Sequence, residues 1–408
     1  MTRRRPLVAA ALAAIAVVGN VQAHAAGPHT LDWPVVAIVG EFGFNVLATD
    51  FQTPGGVTPS YPAALGPVTA VALPTLGSFS ERVAAVRRGA LGHLQPGRLY
   101  GIRGTRLLVA AAPGTVPRQD VTGGGTVGVT VGGSSDPMVH GTGVADAAIG
   151  TRFGTAPDAL GLLVLGDHVD AWDWIGAQRG IDIVSMSTHE PTGRATGCAA
   201  AEDVRAFHAR GGMVFSSSGN TTDQTEPLSP PHGLPEVYQV GGVHDDGAPW
   251  GVPPSADSEP FYAVGQVTRP YVTGELYSFT TAGYDGTTTT MRFGGTSGAT
   301  PRTAGRAASL LRTARTILSE GTPKRGPLAD GRVTGAEVER LLRQVAIPYY
   351  AAQHPAAFAA EGYGYLNGAA QVRAESILRG ASGAPDRASD DQMESVVEQA
   401  RAAAFTGC

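Results

Sequence analysis

Cysteine is scarce in this chain, two in 408 residues, and lysine is scarcer, Lys324 being the only one among thirty Lys and Arg residues. Two cysteines exclude a disulfide-dense scaffold and give no C-x-x-C spacing for zinc. Cys198 and Cys408 leave three arrangements open: one intramolecular bond, two free thiols, or an intermolecular bond from Cys408. Charge is sparse too. With 16% Asp, Glu, Lys and Arg and a formal net charge of -5, the chain has no basic footprint for nucleic acid or an anionic membrane. No His/Asp/Glu cluster marks a metal centre. The longest N-terminal apolar run, residues 7–18, is shorter than the roughly 20 residues a spanning helix needs, so no membrane span is expected in the mature protein.

That run follows Arg3, Arg4 and Arg5 and precedes Ala23 and Ala25 at cleavage spacing, which reads as a signal peptide over residues 1–23 and a secreted or periplasmic protein. The remaining length, about 380 residues, suits one large domain, placed at 27–375, with a polar appendage at 376–408 that includes a helix over 390–404. Short Val/Ile runs alternate with amphipathic segments at 171–178 and 336–345. This alternation predicts an α/β fold, a mostly parallel sheet flanked by helices on both faces, with functional residues at the carboxyl ends of the strands. No internal repeat is visible, and a monomer is expected.

The segment GGTSGATPRTAG at 294–305 sets a serine between glycines before an alanine-rich helical run over 302–318. A serine hydroxyl is a weak nucleophile, so it has to be presented on a tight turn beside a base, with N–H groups free to hold an oxyanion. Ser297 lies where a helix N-terminus offers those groups. At 136–145, DPMVHGTGVA places His140 before Gly141 and Gly143 at a loop-to-helix junction, and an imidazole titrates near neutrality, as a proton shuttle must. A third segment, GGMVFSSSGN at 211–220, is an apolar strand ending in Gly219 and Asn220.

These segments, in this order, resemble the signatures of the subtilisin-like serine proteases. GTAPDA at 154–159, DIVSMS at 182–187 and GYGYLN at 362–367 extend the resemblance collinearly over most of the mature chain. It implies a subtilisin-like fold and a serine endopeptidase acting on peptide or protein substrates. Ser297 would be the nucleophile, His140 the general base and Asn220 an oxyanion donor; Gly219, Ser187, Thr188, His189 and Glu190 would line the substrate cleft. Where many relatives have Ser-Leu-Gly-Gly, this chain has Ser-Thr-His-Glu. Glu190 beside the primary pocket would favour Arg or Lys before the scissile bond, unless it turns to solvent.

The triad acid departs from the family pattern. Relatives carry Asp-x-Gly after the first core strand, whereas residues 35–39 lead here into Gly40-Glu41-Phe42-Gly43. Anchoring on Gly43 makes Glu41 the acid and sets Asp50-Phe51 where the family has Asp-Leu or Asp-Phe; anchoring on the strand puts Gly40 there. The first register satisfies two landmarks and is preferred, giving a Ser-His-Glu triad. A glutamate also brings to mind the sedolisins, which use Ser, Glu and Asp, but His140 in full context and Asn220 in the oxyanion position argue for the subtilisin-type mechanism. Glu41 and the lack of room for an N-terminal propeptide favour a rival reading, a catalytically silent fold used for binding; a third reading is a processing protease of narrow specificity. No cofactor is expected. Some relatives hold calcium at the position of Asp50, and no further ligand for it is recognisable. Between 51 and 139 the chain is longer than in compact relatives, which predicts an insertion away from the core, with a helix at 80–88 and a strand pair across 98–109.

Overall fold

The computed structural model describes residues 33–41, 44, 46, 49–72, 94–113, 137–166, 168–187, 194–218, 231–243, 271–273, 277–282, 288–293, 295–321, 325–346 and 365–381. Eight strands form the main sheet: β1 (Val35–Glu41), β2 (Val68–Val71), β3 (Leu99–Ile102), β4 (Leu107–Ala111), β5 (Leu160–Leu165), β6 (Ile183–Met186), β7 (Met213–Ser217) and β8 (Val237–Val240). Their order is β2-β3-β4-β5-β1-β6-β7-β8, parallel throughout except for the antiparallel β3–β4 pair. Five short strands lie outside it. β9 (Gly242–Val243) and β13 (Tyr365–Leu366) flank β10 (Tyr271–Thr273), and β11 (Tyr277–Ala282) pairs with β12 (Thr288–Phe293).

β3 to β8 and residues 35–39 of β1 are buried, because helices cover both faces and neither side of a pleat meets water, whereas edge strand β2 is half-buried at its two middle residues. Alternate residues separate two cores. Ile38, Leu163, Ile183, Phe215 and Tyr238 face α1 (Pro137–Ile149) and α4 (Gly295–Ser319). Ala37, Leu162, Val184, Val214 and Val237 face α2 (His168–Ala177) and α3 (Arg194–Ala209), where Trp172, Ile175, Val204 and Phe207 fill the layer. Two shorter helices close the α4 side. α5 (Gly335–Val345) starts with a capping box in which Thr334 Oγ1 accepts from the Glu337 N–H at 3.2 Å and Glu337 accepts from the Thr334 N–H at 2.7 Å. α6 (Gly368–Leu378) is capped by Asn367, whose Oδ1 accepts from the Ala370 N–H at 3.0 Å.

The segment predicted as an insertion away from the core is partly built into the sheet. β3 and β4 form the expected strand pair, and β2 and β3 together extend the sheet beyond β4. The helix anticipated at 80–88 and that at 390–404 lie outside the described residues. Cys198, in α3, is disulfide-bonded, and Cys408 is the only other cysteine of the chain.

α4 positions the site because it runs along the strands it packs on, β1, β6, β7 and β8, from one end toward the other. Eighteen residues separate Ser297 from Arg315 by number, about 27 Å of helix. Arg315 is ion-paired to Asp182, which also accepts from the Val35 N–H at 2.9 Å at the amino edge of the sheet. Against α1 the helix is in backbone contact at Gly305: a Cβ there would meet Thr155 Oγ1 and lie 2.6 Å from the Ala148 carbonyl oxygen. Helix propensity alone argues that Gly305→Ala gains about 1 kcal/mol. Overpacking against a fixed carbonyl costs about 1–3 kcal/mol and outweighs it. The expected outcome is a lower denaturant midpoint for Gly305→Ala with an unchanged slope; a stabilised variant would show that the two helices separate freely.

Candidate active site

Parallel register brings the carboxyl ends of β1, β5, β6 and β7 to one edge, with Glu41 opposite Leu165, Val39 opposite Met186 and Met186 opposite Ser216. The crossover changes face here. α1 precedes β5 on one side of the sheet, and α2 and α3 connect β5, β6 and β7 on the other, so the crevice of a doubly wound sheet opens at the end of β1.

Ser297 sits in the first turn of α4, which starts earlier than sequence composition indicated and takes in the glycine-rich motif itself. Gly295 has φ 66°, a conformation that L side chains rarely adopt, and this lets the chain pass from β12 into the helix. The Ser297 hydroxyl donates to the Ser187 carbonyl at 3.2 Å, and the Ser187 hydroxyl donates to the Ser297 carbonyl at 3.1 Å. Both serines are buried, at 9% and 4% exposure. Ser187, expected as a substrate contact, is therefore bonded to the candidate nucleophile.

His140 lies in the first turn of α1, half-buried, with its ring edge-on to Phe293 at 5.3 Å between centroids. Phe293 ends β12, two residues before α4 begins, so it ties the imidazole to the entry of the Ser297 helix. Gly143 makes room for that ring, since a Cβ there would lie 2.7 Å from Phe293 carbons. Nothing in the sequence singled out Phe293. Glu41 is the last residue of β1, and the β1–β5 register shifts between Ile38 and Glu41. Asn220, Gly219, Thr188, His189 and Glu190 lie outside the described residues.

Behind α1, six residues on from His140, a second polar group is buried. Asp50 accepts two hydrogen bonds from Arg152, from Nε at 2.7 Å and Nη2 at 2.9 Å, and its main-chain oxygen accepts from Thr151 and Arg106. Arg106 also donates to the Pro157 carbonyl at 2.6 Å and to Thr151 Oγ1 at 2.9 Å. A guanidinium thus engages both oxygens of the Asp50 carboxylate in the bidentate manner. Asp146 is buried in the same region with neither carboxylate oxygen hydrogen-bonded. Burial above all, and then the Asp50 charge, pushes its carboxyl up to about 8 against the pull of Arg152 and Arg106. Burial likewise draws Arg106 down to about 10, opposed by Asp158, Asp146 and Asp50.

A model of the subtilase family matches residues 124–364, more than half the chain. No curated protein matches. Solved structures similar to the chain include the protease domain of PatA, 20% identical over 87% of this chain and 100% of that one, at a TM-score of 0.49. The Prenylagaramide maturation protease PagA is 17% identical over 85% and 95%, at 0.44. A cold adapted subtilisin-like serine proteinase is 17% identical over 78% and 85%, at 0.43.

A carboxyl raised from its ordinary 3.8 to about 8 keeps its proton in the folded chain and loses it in the unfolded one. The stability tied to that proton is complete below about pH 4 and is lost as pH rises through about 8. Asp146→Asn should flatten this decline, leaving the variant more stable than wild type at pH 9. Denaturant midpoints measured from pH 5 to 9 check it, and parallel curves for the two proteins would count against a buried, protonated Asp146.

Proposed function

Since the chain belongs to the subtilase family and is a serine protease, we propose that it is a secreted endopeptidase in which Ser297, His140, Glu41 and Asn220 carry the reaction. The observation that bears most on this reading is the Ser297 hydroxyl in the buried first turn of α4, at the carboxyl edge of the sheet, with α1, the helix that carries His140, packed against α4 and the His140 ring against Phe293. Free N–H groups of that turn favour developing negative charge.

The resting hydroxyl of Ser297 donates a hydrogen bond to the Ser187 carbonyl, which cannot act as a base. Rotation about χ1 turns it toward His140. Oγ then attacks the substrate carbonyl carbon as His140 takes the proton, and the resulting oxyanion is held by the Ser297 N–H and the Asn220 side-chain amide. Collapse breaks the C–N bond, His140 returning the proton to the departing amine. Water then hydrolyses the acyl-enzyme by the same steps and frees the carboxylate product.

In this reading Glu41 holds the His140 tautomer and stabilises the imidazolium. A glutamate is one methylene longer than the usual aspartate, so the strand end has to be displaced. The shifted register before Glu41, with Gly40 between, is what supports that assignment. Residues 1–23 carry the features of an export signal, and a chain delivered outside the cytoplasm accords with a disulfide-bonded Cys198.

A fluorophosphonate probe tests the reading. Wild type should label, and Ser297→Ala and His140→Ala should each lose about a millionfold in turnover, as in subtilisin, where the members of the triad act as a unit. Glu41→Gln should fall about ten-thousandfold with folding intact, and Glu41→Asp far less. Equal labelling of Ser297→Ala would rule out Ser297 as the nucleophile. An unlabelled wild type would favour a silent fold that only binds.

A further inference from the structure

In an α-helix the N–H of one residue bonds the carbonyl four residues earlier. Pro301 stands four residues after Ser297 and has no N–H. Of the carbonyls in the first turn of α4, that of Ser297 therefore lacks its helical donor, and it belongs to a buried residue. The neighbouring positions have no such deficit: Thr300 and Thr303 even add side-chain bonds to the Thr296 and Ala299 carbonyls, at 2.8 and 3.0 Å. The missing bond comes from another element. Ser187, just past the end of β6, donates its hydroxyl to the Ser297 carbonyl at 3.1 Å and receives the Ser297 hydroxyl on its own carbonyl at 3.2 Å.

We propose that Ser187 is a positioning residue for the nucleophile rather than a substrate contact: its hydroxyl supplies the hydrogen bond that Pro301 withholds, fixing the first turn of α4 to the cleft strand. This rests on Ser297 being the nucleophile. The turn aims two groups at once, the Ser297 Oγ and the Ser297 N–H proposed as an oxyanion donor. A carbonyl left without a partner draws the turn toward water and misdirects both. The chemical step suffers, while substrate binding along the cleft does not.

Ser187→Ala should therefore lower kcat about tenfold, the worth of one hydrogen bond of ordinary strength, with KM nearly unchanged. Ser187→Thr and Ser187→Val have equal shape and differ by the hydroxyl. The Thr variant should keep most of the activity, and the Val variant should behave like Ala. The decisive comparison is on a Pro301→Ala background, where residue 301 regains an N–H for the Ser297 carbonyl. There the change at Ser187 should cost much less than in wild type, and this arm stays informative even where Ser187→Ala alone folds poorly. Equal losses on both backgrounds would overturn the proposal, as would a raised KM at unchanged kcat, the mark of a substrate contact. Ser297→Ala, run alongside, separates the two levels: if it is inactive while Ser187→Ala is fully active, only this proposal fails, and if it is fully active the assignment of the nucleophile fails first.

Discussion

The close packing of α4 against the sheet and α1 is the constraint on which the rest of the structure depends. Its far end is held by Arg315 on Asp182 and its middle by backbone contact at Gly305. Its first turn is tied to β6 through Ser187. A helix fixed at three heights can neither slide nor tilt by much, because protein interiors are packed as densely as organic crystals. The placement of Ser297 is thus inherited from the core, and the site needs little local stiffening of its own.

Several polar groups inside this core are satisfied across elements, while others, Asp146, Ser185 and Gln239 among them, keep a side-chain atom without a hydrogen bond. Arg106, Thr151, Arg152 and Asp50 satisfy one another behind α1, and Asp146 beside them holds its proton instead of a partner. On the opposite face of the sheet, Ser216 lies 2.7 Å from His232 Nδ1, and His232 meets the His168 ring edge-on at 4.8 Å. These buried histidines sit near the carboxyl edge, on the α2 side, away from Ser297. Behind α1, buried charge is met by guanidinium at Asp50 and by a raised carboxyl at Asp146, since an isolated buried carboxylate is costly.

Much of the fold was legible in the sequence. Valine and isoleucine runs marked strands covered on both faces, and the amphipathic segment at 336–345 marked the helix that the structure places at Gly335–Val345. Ser297 and His140 were legible as candidates because glycines around a nucleophile and a base are a local requirement, written within ten residues. The length between 51 and 139 was visible, but not that β2 and β3 would join the edge of the main sheet, because strand pairing is a long-range choice that short apolar segments leave undetermined.

What the sequence determined by itself, then, is whatever depends on neighbours along the chain: the alternation of elements, the caps, the glycine-flanked serine, and the proline that removes a donor four residues after it. Only the tertiary structure decided what answers that proline. Ser187 precedes Ser297 by 110 residues, and nothing in its own surroundings announces that it will face the Ser297 carbonyl. Likewise, the partner of the Asp50 carboxylate in this structure is Arg152, brought there where α1 ends and the chain turns back toward β5. Hydrogen bonds and charges are satisfied in space, by whichever residues the sheet register delivers, and register is a property of the packed whole.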